Sequence, residues 1–214
     1  MSPHFRNSKL TLISAVVGGL LLSTVGAAVA QDQPSAQKIL QALTPKPATR
    51  SLTLSPADTA KATEEQKFID SVRNRQTRSL STAERETIAT IAKERPSIDL
   101  EIRFDYNSAA ISTTSQPGVK ALGEALASPD LKNGTFIIAG HTDAKGGEEY
   151  NKGLSEKRAD AIKKYLVDKQ GIPAANLVTV GYGKAQLKNK DNPLSGENRR
   201  VQVVNMVKNA EAKN

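Results

Sequence analysis

Cysteine is absent from all 214 residues, which excludes a disulfide framework and any lipid-bearing cysteine behind an export leader. Tryptophan is absent as well, and aromatic residues make up 4% of the chain, too few for a large second core or for the stacking platforms of a single-strand nucleic-acid binder. Histidine occurs only as His4 and His141. No internal repeat is found, and no series of alternating strands of about ten residues of the kind an outer-membrane barrel needs. The one long uncharged run, Leu10 to Val29, follows Arg6 and Lys9 and ends in Ala28-Val29-Ala30. Residues 1–30 are therefore expected to be a signal peptide, with a retained membrane anchor as the alternative. Either outcome places the remainder outside the cytoplasm.

The chain is basic, with a formal net charge of +8. Such a charge draws anionic polymers. Nucleic acid is excluded as the partner because the cations are scattered, the aromatics are few and an export leader puts the chain in the wrong compartment.

Residues 31–96 are expected to form a linker with helical pieces. Ala36 to Leu43 suits a short helix, and Pro45, Pro47 and Pro56 mark a stiff connection. Ala57 to Arg75 reads as a helix with a weak apolar stripe at Phe68, Ile69 and Val72. Ser81 with Glu84 spells a capping box, after which Ile88 and Ile91 give a second helix a small apolar side.

The pattern changes at Ser97. Ile98, Leu100, Ile102 and Phe104 alternate with polar residues as in a strand with one buried face, ending in the loop of Asp105, Tyr106 and Asn107. Val119, Leu122, Ala125 and Leu126 supply a crossover helix, which would lay the next strand parallel and beside the first. That strand is Phe136-Ile137-Ile138-Ala139, delivering His141, Thr142 and Asp143 at its end. A helix follows from about Glu148, closed by Gly171 and Pro173. Leu177 to Val180 form a third strand, and Arg200 to Val207 the last. The order predicts an α/β two-layer sandwich over residues 97–208, a mixed sheet with helices on one face, then a polar tail at 209–214.

Chemistry concentrates in residues 135–166. On the helix from Glu148, Leu154, Arg158, Ala161, Ile162 and Tyr165 share one stripe about 100° wide, with Glu156, Asp160, Lys163 and Lys164 opposite. Arg158 thus lies inside an apolar stripe, and a guanidinium there demands an acceptor. Asn151 shares its face, and Asp143 is the nearest acid in sequence. The trio suits a ligand carrying both an ammonium and a carboxylate, with Arg158 gripping the carboxylate by two parallel hydrogen bonds. A structural Asp143–Arg158 ion pair is the alternative, and spacing alone leaves both open. Catalysis finds no support: His141, Asp143 and Ser155 lack a nucleophile elbow, and one histidine with one acid is too few for a metal. No cofactor is expected.

The pieces FDYNSAAI at 104–111, GHTD at 140–143, YN..LS..RA at 150–159, GI at 171–172, VGYG at 180–183 and NRRV at 198–201 resemble the OmpA-like peptidoglycan-binding domain family over about Ile98 to Val207. The resemblance implies a non-catalytic module in which Asp143 and Arg158 clamp the diaminopimelate of the peptidoglycan stem peptide. Tyr106, Asn107, Thr142, Asn151, Leu154 and Arg199 would line the slot. It also implies a periplasmic or outer-membrane-associated location. The alternative function is an envelope assembly protein whose partner is another envelope protein, bound through residues 31–96.

Overall fold

The computed structural model describes Met1 and residues 33–45, 56–73, 75, 77–104 and 108–207. The expected leader, the Pro47 segment, Tyr106, Asn107 and the polar tail lie outside the described residues. Twelve elements follow in order: α1 (Ala36–Leu43), α2 (Pro56–Val72), a 3-10 turn (Thr77–Ser79), α3 (Thr82–Ala92), β1 (Ser97–Leu100), α4 (Gln116–Leu126), β2 (Phe136–His141), α5 (Glu148–Gln170), a 3-10 turn (Ala174–Asn176), β3 (Leu177–Gly183), a 3-10 turn (Gly196–Asn198) and β4 (Val201–Asn205).

The mixed sheet with helices is present as expected, with strand order β1-β4-β2-β3. β2 and β3 pair in parallel across α5, and β4 runs antiparallel to both β1 and β2. One expectation fails here. β1 and β2 point the same way but are not neighbours, because β4 inserts between them, with Val201 opposite both Leu100 and Gly140. The start of β4 therefore emerges between the C-terminal ends of β1 and β2. β1 is also shorter than the alternation implied, and Phe104 instead forms an isolated bridge to Ile111.

Helices cover both faces of the sheet. On the first face α1, α4 and α5 bury Ile39, Leu43, Val119, Leu122, Ile162 and Leu166 against Leu100, Phe136, Ile138, Leu177 and Val203. On the second, Ile69 and Val72 of α2, Leu80, and Ile88 and Ile91 of α3 close over Ile137, Ala139, Val178, Val180 and Val204. The helical pieces of residues 31–96 are thus layers of the fold and not a tether. The physical reason lies in the strands. Every residue of β2 and β3 is buried, and a strand apolar on both sides needs cover on both. Each apolar side chain contributed by α2 and α3 stabilises by roughly 1.5–3 kcal/mol on burial. The capping box of Ser81 and Glu84 forms at the start of α3, and Gly171 ends α5 in the left-handed conformation, at φ 67°.

A polar seam joins the second layer to α5. Arg85, almost fully buried, donates to the carbonyls of Thr77, Leu80 and Gly181 and pairs with Glu156 at 2.8 Å. Beside it Asp160 accepts from the hydroxyls of Thr77 and Thr179. The face of α5 opposite the expected apolar stripe thus carries two acids that hold this layer. The buried residues of α5 are Asn151, Ser155, Ala159, Ile162 and Leu166, a stripe rotated from the one that periodicity selected. Glycine is the cause: a Cβ on Gly140 would lie 2.2 Å from the Ser155 carbonyl oxygen, and one on Gly181 would strike Glu156. The bare strand ends let the Ser155 side of the helix settle on the sheet, leaving Leu154 and Arg158 at its edge.

Candidate functional site

The site sits at the C-terminal ends of β1 and β2, with α5 as one wall. β2 ends in Gly140-His141, and the next two residues are held from below. Thr142 N donates to the Gly183 carbonyl at 2.9 Å, and the Thr142 hydroxyl donates to the Asp143 carbonyl at 3.0 Å. Thr142 is itself buried, so it supports the loop and does not open on the rim. Gly183, at φ 54°, approaches the Lys152 backbone too closely for any side chain, which brings the first turns of α5 against this loop.

Asp143 is mostly buried at the rim, with both carboxylate oxygens engaged. One carboxylate oxygen accepts from Lys145 N at 3.1 Å and the other from Arg199 Nη1 at 2.7 Å. The Asp143 side chain is 15% exposed and that of Arg199 52%. Arg199 reaches this position because β4 begins between β1 and β2. The structural alternative, an ion pair between Asp143 and Arg158, is not what forms: Asp143 pairs with Arg199. Arg158 lies with its guanidinium carbon 4.9 Å from the centre of the Phe104 ring, and its Nε donates a long 3.4 Å bond to the Ser108 carbonyl. No carboxylate hydrogen-bonds it among the described residues. Burial lowers its pKa, Arg199 lowers it further, and Tyr150 and Asp143 act in the opposite direction, so all four belong to one electrostatic neighbourhood. The guanidinium remains charged, and among the described residues its Nη donors meet no acceptor.

Asn151 is brought to the site but spent. Fully buried, it donates to the Lys145 carbonyl at 2.9 Å and ties the 143–147 loop to α5. Leu154 is half-buried and, with Ser108, Tyr150, Gly153 and Lys157, lines a groove of about 240 Å³ next to Arg158. His141 is the last residue of β2 and buried, its ring stacked on Tyr182 at 5.3 Å. Ser155 is inaccessible, donating to the Lys152 carbonyl and accepting from Gly183 N. Among the described residues no group of three or more histidines or acids is placed to hold a metal ion.

Sequence reasoning missed Asn198. It is fully buried, its amide donates to the carbonyls of Asn189, Asn192 and Pro193, and its oxygen accepts from Asn189 N. Pro193 in turn accepts from Ala144 N at 3.0 Å, so the 189–193 loop, Asn198 and the Asp143 loop are linked. The available signal was a lone amide directly before two arginines at a strand start.

The model of the OmpA family matches residues 103–200. Outer membrane protein A of Klebsiella pneumoniae is 34% identical over 106 residues, covering 50% of this chain and 29% of that protein. Outer membrane porin F of Pseudomonas fluorescens is 35% identical over 89 residues, covering 42% and 26%. This chain therefore spans about a quarter to a third of those relatives' length. Among solved structures, the peptidoglycan-associated lipoprotein of Burkholderia pseudomallei is similar with a TM-score of 0.42 and 26% identity, over 54% of this chain and 92% of that one.

Proposed function

Because residues 103–200 form a domain of the OmpA family, we propose that this chain is a non-catalytic envelope module that holds peptidoglycan noncovalently, through the diaminopimelate of the stem peptide. The module acts in the periplasm or at the outer membrane. The observation that carries this reading is the pairing at the rim: a half-buried Arg158 that no described carboxylate hydrogen-bonds stands in the same electrostatic neighbourhood as Asp143, whose described partner is the half-exposed Arg199. A ligand with an ammonium and a carboxylate on one carbon meets both, the ammonium sharing Asp143 with Arg199 and the carboxylate taking Arg158 in a bidentate grip. Leu154 and the adjoining groove would seat the neighbouring part of the stem, and Tyr106 and Asn107 would also contact the ligand. Thr142 and Asn151 hold the loop from within. The rival partner, an envelope protein docked on residues 31–96, has less surface to use, since Ile69, Val72, Leu80, Ile88 and Ile91 are already buried.

The test is co-sedimentation of the full chain with purified peptidoglycan, alongside folded Asp143→Ala and Arg158→Ala variants. Wild type is expected in the pellet and both variants in the supernatant. Equal pelleting of all three overturns the clamp. Amidating the diaminopimelate carboxyl separates its two halves, since it weakens wild type through Arg158 alone.

A further inference from the structure

α5 carries a glycine that the fold does not ask for. Gly153 is the sixth of its 23 residues, inside the helix, where glycine is less stable than alanine because the unfolded chain gives up more freedom. Elsewhere among the described glycines the cause is visible. A Cβ on Gly118, Gly123, Gly134, Gly140, Gly181 or Gly183 would come within 3.0 Å of a neighbouring atom, and one on Gly196 would lie 3.2 Å from Arg199 Nη2. Gly146 and Gly171 take positive φ, and Gly147 stands at the N-cap of α5. A Cβ on Gly153 would meet nothing within 4 Å, and φ there is not positive. Neither packing nor backbone conformation accounts for this residue.

The space left open belongs to the groove beside Arg158. Glu149, Tyr150 and Lys157 lie three or four residues from Gly153, so they share its face of α5 and stand on either side of it. Ser108 and Ala109 supply the other wall. The Ser108 carbonyl also accepts from Arg158 Nε, which makes the groove continuous with the rim. Its volume of about 240 Å³ is below the roughly 300–1,000 Å³ of sites that enclose a whole small molecule, so it suits one part of a larger ligand. A residue without a side chain lets the backbone of such a ligand approach the helix directly.

We propose that Gly153 is a specificity-determining residue of the rim: the stem-peptide backbone at the diaminopimelate residue lies against it, in the gap between Tyr150 and Lys157, while Asp143 and Arg158 hold the charged end of that residue. The inference rests on the wall-binding reading. It adds a second feature of the ligand, since the site then takes the diamino acid within a peptide in preference to the free diamino acid. Space and not charge sets the preference, because the methyl group of an alanine would already occupy the gap.

The experiment is an NMR titration of the isotope-labelled full chain and its Gly153→Ala variant, following the Leu154 amide. The ligands are free meso-diaminopimelate and, separately, the tripeptide L-alanyl-γ-D-glutamyl-meso-diaminopimelate. Wild type is expected to bind the tripeptide at least about fivefold more tightly than the free diamino acid, because the groove is then filled. Gly153→Ala should lose at least about fivefold in tripeptide affinity, as overpacking does elsewhere, and keep its affinity for free diaminopimelate within about twofold. Its urea midpoint should rise, because alanine is the better helix residue. A variant that is more stable and yet binds worse has not lost the site by misfolding. Equal tripeptide affinity in the two proteins, an equal loss for both ligands, or wild type binding both ligands alike each overturns the inference while leaving the clamp of Asp143 and Arg158 in place. A lower urea midpoint overturns it as well, since the fold would then need this glycine. If wild type binds neither ligand, the wall-binding reading fails and the inference with it.

Discussion

Arg85 and Arg158 are both bound up with α5, yet their surroundings differ in kind. Arg85 is 7% exposed, meets Glu156 at 2.8 Å and donates to three backbone carbonyls. Arg158, from the same helix as Glu156 and two residues on, has one long bond to a carbonyl and an aromatic face beneath it. Residues two apart on a helix point about 200° apart, so α5 offers an acid to the closed seam and a cation to the open rim. A buried charge whose partners are all supplied by the chain builds the fold. One left short of partners at a rim has donors to spend on something else. The difference lies in satisfaction rather than in residue type.

The largest effect expected from this contrast is on stability. Arg85→Ala strands Glu156 and strips the Leu80 and Gly181 carbonyls of their donors, a loss of about 3–5 kcal/mol as for other broken buried pairs. Among the described residues Arg158→Ala removes one long hydrogen bond and the contact with the Phe104 ring at a half-buried edge, and should cost about 1 kcal/mol. Urea unfolding of the two variants checks this directly. Losses of similar size would show that the rim arginine is structural as well, and the comparison would fail.

His141 gives the seam face a pH signature. Its pKa is about 3 in the folded chain, lowered mainly by burial, and about 6.5 when unfolded. Between those values the unfolded chain binds a proton that the folded chain does not. Stability is therefore full above about pH 6.5 and falls as the pH drops towards 3, by up to about 1.4 kcal/mol per pH unit from this group. His141→Phe keeps a ring against Tyr182 and should flatten that part of the curve relative to wild type. Parallel curves for the two proteins would show that the imidazole is not desolvated.

Much of the rim was legible in the sequence. A guanidinium inside an apolar stripe singled out Arg158, and an acid just past a short apolar strand singled out Asp143. The capping box at Ser81 and the stop at Gly171 are local signals, and both formed as read. What escaped was non-local. Nothing in the order of elements says that β4 inserts between β1 and β2, yet that insertion brings Arg199 to Asp143. The second layer was hidden because its apolar stripes are short, although the unbroken run Phe136 to Ala139 already required cover on both faces. The reasoning that found Arg158 also applies to Arg85, which stands three and six residues ahead of Ile88 and Ile91 on α3. Glycine misled in a different way. The stripe on α5 was counted from apolar residues, whereas Gly140, Gly181 and Gly183 admit Asn151 and Ser155 to the sheet instead.

The smallest contrast is between neighbours, Asn198 and Arg199. Asn198 is fully buried with four hydrogen bonds to the 189–193 loop, and Arg199 is half exposed with one ion pair to Asp143. Asn198→Ala removes four hydrogen bonds made by a buried amide and should cost about 1–3 kcal/mol. Arg199→Ala breaks a solvent-facing pair and should cost less than about 1 kcal/mol, a difference that salt narrows further. Wall binding should rank them differently. Without Asn198 the loop that accepts from Ala144 loses its brace, so Asp143 is less well placed and the pelleted fraction falls. Without Arg199 the Asp143 carboxylate is released to an incoming ammonium in a rim that has lost one competing cation. Co-sedimentation at two salt concentrations separates the two. If Arg199→Ala abolishes pelleting as fully as Arg158→Ala, Arg199 grips the ligand directly, and the rim carries two carboxylate-binding arginines instead of one.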